Sequence, residues 1–262
     1  MIELAQVSLQ RGGATILDGA FLRVDPSQVV LISGPSGIGK TSLLSLIGGF
    51  LAANHGEVKV FGHEVAKMRA TSTALLRRKL AFVPQEIELI KEMSALANVR
   101  LALEVCGEPR RSAKKRSIDA LIAVDMGDYF DRPVRDLSTG QRRRVCLARG
   151  LVRSAEIFVA DEPSNDLDAE RVLQLIGIID DLRCDGTAIV IATNDSRLLS
   201  QAQQPGWRHL ALSEGQLIPG DMAALFGSGR PRKKPEKLEK PAVSEDYSNV
   251  VPFPVSTAIG QE

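Results

Sequence analysis

The chain alternates short apolar runs with amphipathic stretches. Val29-Val30-Leu31-Ile32, Ile157-Phe158-Val159-Ala160 and Ala188-Ile189-Val190-Ile191-Ala192 are apolar at every position. A strand covered on both faces reads this way, whereas a half-exposed strand alternates. Looser alternation marks two more strands near the start, through Ile2, Leu4, Val7 and Leu9 and through Phe21, Leu22 and Val24, with a Gly12-Gly13 turn between them. Helical periodicity covers 40–49, 115–125, 141–152 and 168–183; in the last, Val172, Leu175, Ile176 and Ile179 share one face. Strands separated by helices predict a parallel α/β sheet. Residues 86–150 carry helical patterns and no good strand, which predicts a helical insertion.

The pattern stops near residue 227. From Ser228 to Glu262 lie five of the thirteen prolines and the basic group Arg230, Arg232, Lys233 and Lys234. This composition predicts a disordered tail over 228–262, or a partner-binding arm that docks through Val250-Val251-Pro252-Phe253-Pro254-Val255.

Composition narrows the class. Lys and Arg total 33 against 32 Asp and Glu, a formal charge of +1, which excludes a global field that would hold nucleic acid or an anionic membrane. With 44% apolar residues but only 4% aromatic, the core must be aliphatic, and wholesale disorder, collagen and an integral membrane protein are excluded. No apolar run approaches the ~18 residues of a spanning helix, and the first residues lack the regions of a signal peptide. The expectation is a soluble chain whose membrane role, if any, needs a partner. Cys106, Cys146 and Cys184 form no CxxC pair and read as reduced, partly buried residues. His55, His63 and His209 have no ligand spacing, and Trp207 reads as a packing residue.

The strongest chemical signal is Gly34-Pro35-Ser36-Gly37-Ile38-Gly39-Lys40-Thr41, which fits G-x-x-x-x-G-K-[ST]. It lies between a buried strand and a helix carrying Leu43, Leu44 and Ile47. Glycines let backbone N–H groups turn inward around a triphosphate, and the helix N-terminus adds positive potential. These residues and Ser42 are the candidate ATP ligands. Lys40 would bridge the β- and γ-phosphates, and the Thr41 hydroxyl would ligate Mg²⁺. The second signal is Asp161-Glu162, at the end of an apolar strand where α/β sheets bind ligands. Asp161 is placed to hold Mg²⁺ and Glu162 to polarise the attacking water.

Leu137-Ser138-Thr139-Gly140-Gln141 resembles the signature sequence of the ABC ATPases, usually LSGGQ, and stands before Asp161-Glu162 at that family's distance. Gln85, in Phe82-Val83-Pro84-Gln85, is similar to the Q-loop glutamine, and Ser164-Asn165-Asp166-Leu167-Asp168 resembles the D-loop. The motifs keep the family's order, and the resemblance covers about 1–220. Leu46-Ile47-Gly48-Gly49, Leu76-Arg77-Arg78-Lys79-Leu80 and Ala211-Leu212-Ser213-Glu214-Gly215 are similar to the FtsE, LolD and MacB group, whose members serve cell division, lipoprotein release and macrolide or peptide efflux.

The resemblance implies an ABC ATPase domain over 1–227. Its parts would be a P-loop, RecA-like parallel core (1–85 and 151–227), an N-terminal antiparallel β subdomain and a helical subdomain (86–150). It implies catalytic roles for Gln85 and Glu162, with Gln85 joining Thr41 and Asp161 on Mg²⁺. Asp168 joins the nucleotide-contacting residues. Ser138, Gly140 and Gln141 would contact the nucleotide of a second copy, so that two chains sandwich two ATP molecules head to tail. Read from the residues alone, Ser138 is a helix N-cap, which is compatible with that role. An integral membrane subunit would be contacted through the helical subdomain, with Glu86-Ile87-Glu88-Leu89-Ile90 the candidate contact, and the chain would sit peripherally on the cytoplasmic face of the inner (plasma) membrane. No direct nucleic-acid contact is expected.

Three positions depart from the family pattern. Asn194 stands where the switch histidine is expected; it keeps a hydrogen bond to a γ-phosphate but carries no charge. Slowed hydrolysis or a longer-lived closed dimer is expected, unless an intact Glu162 makes the change tolerable. Arg11 falls near the usual adenine-stacking aromatic; a guanidinium plane also stacks on a base, or the residue is a solvated surface arginine. Thr139 replaces a signature glycine. Arg142-Arg143-Arg144 lies near phosphate or the dimer seam, or else on the surface, and the basic stretch from Arg110 to Arg116 reads as a solvated helix face. The function expected is the ATP-binding subunit of an ABC transporter-type membrane complex. The alternatives are a slow nucleotide switch that regulates a membrane partner and, less favoured, a DNA- or ribosome-associated ATPase.

Overall fold

The three uniformly apolar runs become strands buried along their whole length. The computed structural model describes residues 1–220, so the expected tail lies outside the described residues. In chain order the elements are β1 (Ile2–Arg11), β2 (Ala14–Val24), β3 (Val29–Ser33), α1 (Lys40–Ile47), β4 (His55–Val60), β5 (His63–Glu64), α2 (Ala70–Arg78), β6 (Leu80–Val83), α3 (Ala95–Glu104), α4 (Arg110–Ala123), α5 (Thr139–Leu151), β7 (Ile157–Asp161), α6 (Ala169–Cys184), β8 (Ala188–Ala192), α7 (Ser196–Leu199), β9 (Trp207–Ser213) and β10 (Gln216–Pro219).

Two sheets form. The larger has the order β10-β9-β3-β8-β7-β6, parallel from β9 to β6 and closed by the antiparallel β9–β10 hairpin. The smaller is antiparallel, in the order β2-β1-β4-β5. The fold is α/β, with a parallel core, an N-terminal antiparallel sheet and a helical insertion, as expected.

Successive residues of a central strand serve different cores. Val29 and Leu31 join Phe158, Ile189 and Ile191 in one apolar cluster, while Val30 and Ile32 join Val159 and Val190 in the other. This two-residue period with both faces covered explains why the runs contain no polar position. The first cluster also takes Val99 and Leu103 from α3, Leu121 from α4 and Val145 and Leu147 from α5. The helical insertion therefore shares its core with the sheet. The second cluster joins Leu43, Leu44 and Ile47 of α1 to Ile2, Leu4, Leu22 and Val24 of the antiparallel sheet.

The helix over 115–125 begins earlier than its periodicity suggests, at Arg110 behind Pro109, because the basic first turns carry no apolar stripe. Edge and mixed-polarity elements escaped the pattern altogether: β4 reads His-Gly-Glu-Val-Lys-Val, and β6 has only 4 residues. Trp207 is buried, and its indole N–H donates to Asp180 at 3.3 Å. All three cysteines are free. Cys146 is buried and Cys106 intermediate, but Cys184 is exposed at the end of α6, contrary to the expected partial burial. Among the described residues no helix is long and apolar enough to cross a membrane.

Between β6 and α3 the chain runs without regular structure, and one polar side chain fixes its end. Asn98, 2% exposed, accepts a hydrogen bond from the Ile90 N–H at 2.8 Å and donates to the carbonyls of Ile90 (3.0 Å) and Ser94 (3.1 Å). Removing a buried amide leaves those backbone groups unmatched. Asn98→Ala should lower unfolding stability by about 2 kcal/mol, measured by urea denaturation; a change within about 0.5 kcal/mol, the usual surface range, would show that the loop is fixed by other contacts.

Candidate functional site

β8 lies between β3 and β7, so the loops leaving these three strands converge at one edge of the sheet. β3 ends at Ser33, and the chain turns into α1 at Lys40. Gly39 caps α1 with φ +111°, and Ile16 of β2 lies so close that a Cβ has no room. Only glycine meets both demands. The first N–H groups of a helix lack intrahelical partners and make an anion site there.

Lys40 is 8% exposed. Its Nζ donates to the carbonyls of Gly34 at 2.7 Å and Pro35 at 3.4 Å, and stands 3.8 Å from Glu162 Oε1. Thr41 Oγ1 donates to Asp161 Oδ2 at 2.5 Å. Asp161 ends β7 and is 1% exposed. Burial pushes its carboxyl above the ordinary range, against the Thr41 hydrogen bond and the charges of Lys40 and Arg143.

Glu162 follows with φ +46°, a left-handed backbone that costs a non-glycine residue about 1 kcal/mol. Its N–H donates to Ala192 O at 2.8 Å, which fixes the bend against β8. Asn194 closes the circuit. Its N–H donates to Glu162 Oε2 at 3.3 Å, and its Oδ1 accepts from the Gly34 N–H at 3.1 Å. The loops after β3, β7 and β8 are thereby laced together around a cleft of about 700 Å³.

Among the residues expected at the site, Ser36, Gly37, Gly39, Lys40, Thr41, Ser42, Gln85, Asp161, Glu162 and Asn194 line this cleft. Gly34 and Pro35 enter through their carbonyls to Lys40. Ile38 packs against the second core instead. Asp168 does not line the cleft; its carboxylate accepts from Arg171 N–H at 2.9 Å and caps α6. Its D-loop neighbours Ser164, Asn165, Asp166 and Leu167 do line it. Arg11 is exposed at the β1–β2 hairpin, paired in register with Ala14 and away from the cleft lining.

The signature residues also lie outside this cleft. Ser138 Oγ accepts from Gln141 N–H at 3.2 Å, and Gln141 Oε1 accepts from Ser138 N–H at 2.9 Å, a reciprocal capping box that opens α5. Gly140 has a packing reason: the Asp166 carbonyl lies 2.9 Å from where a Cβ would stand. Thr139 is accommodated because it is exposed, and its hydroxyl accepts from Arg142 at 3.2 Å.

Sequence reasoning missed Arg197 and Asp195, which line the cleft as an ion pair at 2.7 Å. Burial works to raise the Asp195 carboxyl, but hydrogen bonds from Arg197 and Ser164 hold it below the ordinary value. The one local signal was the Asp195-Ser196-Arg197 cap of the short α7. His209 was also missed: it is buried on β9 and bonded to Ser33 at the root of the phosphate loop, 2.7 Å away.

The family model described as ABC transporter matches residues 17–165. An uncharacterised ABC transporter ATP-binding protein of Mycobacterium bovis is 35% identical over 216 residues, 81% of this chain and 64% of that protein. The macrolide export ATP-binding/permease protein MacB of Bartonella quintana is 33% identical over 80% of this chain and 32% of its own length. The cell division ATP-binding protein FtsE of Streptococcus pneumoniae is 27% identical over 82% of this chain and 92% of its own. The chain thus spans less than two thirds of the mycobacterial and MacB relatives. Among solved structures, an ATP-binding cassette captured as a dimer in a post-hydrolysis state with ADP and Pi aligns at a TM-score of 0.76 and 27% identity, covering 83% of this chain and 96% of that one. The chain belongs to the ABC transporter family, as one of its nucleotide-binding domains.

Proposed function

We propose that this chain is the ATP-hydrolysing subunit of an ABC transporter-type membrane complex, working as a head-to-tail homodimer on the cytoplasmic face of the inner membrane. The observation that carries the reading is the lacing of Lys40, Glu162, Asn194 and Gly34 around one cleft. A triphosphate seated there takes the N–H groups of the loop and draws the Lys40 ammonium onto its β- and γ-oxygens. Glu162 accepts a hydrogen bond from water and directs it at the γ-phosphorus, in line with the bond to the leaving ADP. Asn194 donates a neutral hydrogen bond to a γ-oxygen.

The oxygen set of Thr41 Oγ1, Asp161 Oδ2 and Gln85 suits Mg²⁺, which keeps few protein ligands and completes its shell with phosphate and water. When bound, Mg²⁺ would supply charge neutralisation for the phosphate groups. The position of the signature residues outside their own cleft supports a second copy as their target, in keeping with the dimeric form of the similar cassette.

An apolar groove of about 460 Å³ between α2, α3 and α5 supports a membrane partner. Ile90, Leu101, Ala102 and Val105 form its apolar lining, with Arg77, Arg78, Arg149 and Arg153 around it. Val105 is 68% exposed and Ile90 42%, so the groove presents adjoining apolar surface to solvent. Leu89, within the expected contact 86–90, packs instead against the first core. The contact is therefore assigned to Ile90 with Val105.

Two outcomes are expected. Ile90→Glu and Val105→Glu should lose a membrane chain that co-purifies with the native protein, while binding of a fluorescent ATP analogue stays unchanged; retained association would overturn the groove as the dock. Asn194→His should raise steady-state ATP turnover by about tenfold, the worth of a charged over a neutral hydrogen bond, with Glu162→Gln as the inactive reference. Equal turnover in Asn194→His and wild type, with an unchanged dimer lifetime, would show that Asn194 does not limit the rate. A wild type no faster than Glu162→Gln would favour the slow nucleotide switch, the second reading, which the uncharged Asn194 motivates.

A further inference from the structure

We propose that Arg143 is a positioning residue that ties the signature end of α5 to Gln85, so that one helix turn carries both the surface offered to a second copy and the anchor of a group in its own cleft. Arg143 lies one turn into α5 and is 3% exposed. Its Nη1 donates to Pro84 O at 3.1 Å and its Nη2 to Gln85 O at 2.5 Å. Nε has no hydrogen-bond partner among the described residues. Burying a guanidinium is costly unless its bonds recover the loss of water. Two carbonyls of one loop recover part of it, and the aliphatic residues Val145 and Leu147 on the same helix show what pure packing uses there.

The carbonyls that Arg143 holds belong to the stretch after β6, which forms no helix or strand itself. Gln85 lines the nucleotide cleft, and its carbonyl is held by α5. The same helix start also meets the D-loop, where Gly140 rests against the Asp166 carbonyl. Arg143 also adds positive charge that favours the ionised Asp161. A shift of α5 therefore moves Gln85 directly. Without Arg143, Gln85 keeps its chemistry and loses its defined place.

The inference rests on the hydrolytic reading above, and its test separates the two. ATP turnover, the KM for ATP with Mg²⁺, the affinity for a fluorescent ATP analogue and the melting temperature are measured on the full chain for wild type, Arg143→Met and Arg143→Lys. Arg143→Met should lose about tenfold in kcat, the worth of charged hydrogen bonds, while KM and nucleotide affinity move by less than about threefold. Arg143→Lys, whose ammonium also donates to carbonyls, should recover part of kcat. Wild-type turnover in Arg143→Met overturns the proposal, as does a kcat loss matched by equal losses of affinity and melting temperature. If Arg143→Met does not fold, Arg143→Gln carries the same comparison. No turnover in the wild type overturns the hydrolytic reading and this role with it.

Discussion

An ammonium group held almost out of water at the mouth of a parallel sheet organises everything around it. Lys40 is 8% exposed, and such a charge persists only where oxygens replace its hydration. Gly34 and Pro35 supply carbonyls, which requires the loop to curl back over its own lysine. Glu162 supplies a carboxylate, which requires the left-handed turn after β7. Asn194 then braces both suppliers at once, one through Gly34 N–H and one through Glu162 Oε2. The strand order β3-β8-β7 makes this possible, because the brace comes from the strand between the other two.

What could be read from the sequence follows from how local each determinant is. The phosphate loop lies within one short segment, so its residues and its strand–loop–helix setting could be recognised together. Asp161 was legible for a related reason, since an apolar strand ending in acids points to its own edge. The links across the chain were not legible. Nothing local marks Asn194 as a bonding partner of Gly34, and nothing local distinguishes Asp168 as the residue whose carboxylate caps α6 through Arg171 N–H. β6 and β9 were missed because a short edge strand and a strand carrying Arg208 and His209 break the apolar pattern. Leu89 read as part of the candidate partner contact 86–90, yet it packs against the core between the exposed Glu88 and Ile90.

The helical insertion has a dual attachment. Its apolar residues enter the same core as one face of the sheet, which resists separation. Polar contacts give this attachment direction. Asp125, after α4, meets Arg171 of α6 at 2.6 Å and, within the insertion, Arg144 of α5 at 3.1 Å, and Gln174 of α6 donates to Ala123 O at 2.8 Å. Exposed ion pairs of this kind contribute little net stability but select one relative placement. Apolar surfaces tolerate small sliding, while directional bonds define discrete positions, and a conformational engine needs both properties.

Arginine supplies many of the directional bonds between elements, and this explains why the charge total carried so little information. Arg77 bonds Gly49 O at 2.6 Å, Arg153 bonds Arg77 O at 2.7 Å, Arg116 bonds Val152 O at 2.5 Å and Arg144 bonds Asp125 O at 2.7 Å; Arg149 reaches Glu88 O in the same way. Their partners are backbone carbonyls, which count for nothing in a formal charge. A formal charge of +1 therefore coexists with a molecule whose loops are fastened by guanidinium groups. Such fastenings tie a side chain on one element to a fixed point of main chain on another, so a helix that rotates carries its neighbour's backbone with it. In a site assembled from strand-end loops, that is a more direct coupling than an ion pair between two flexible side chains.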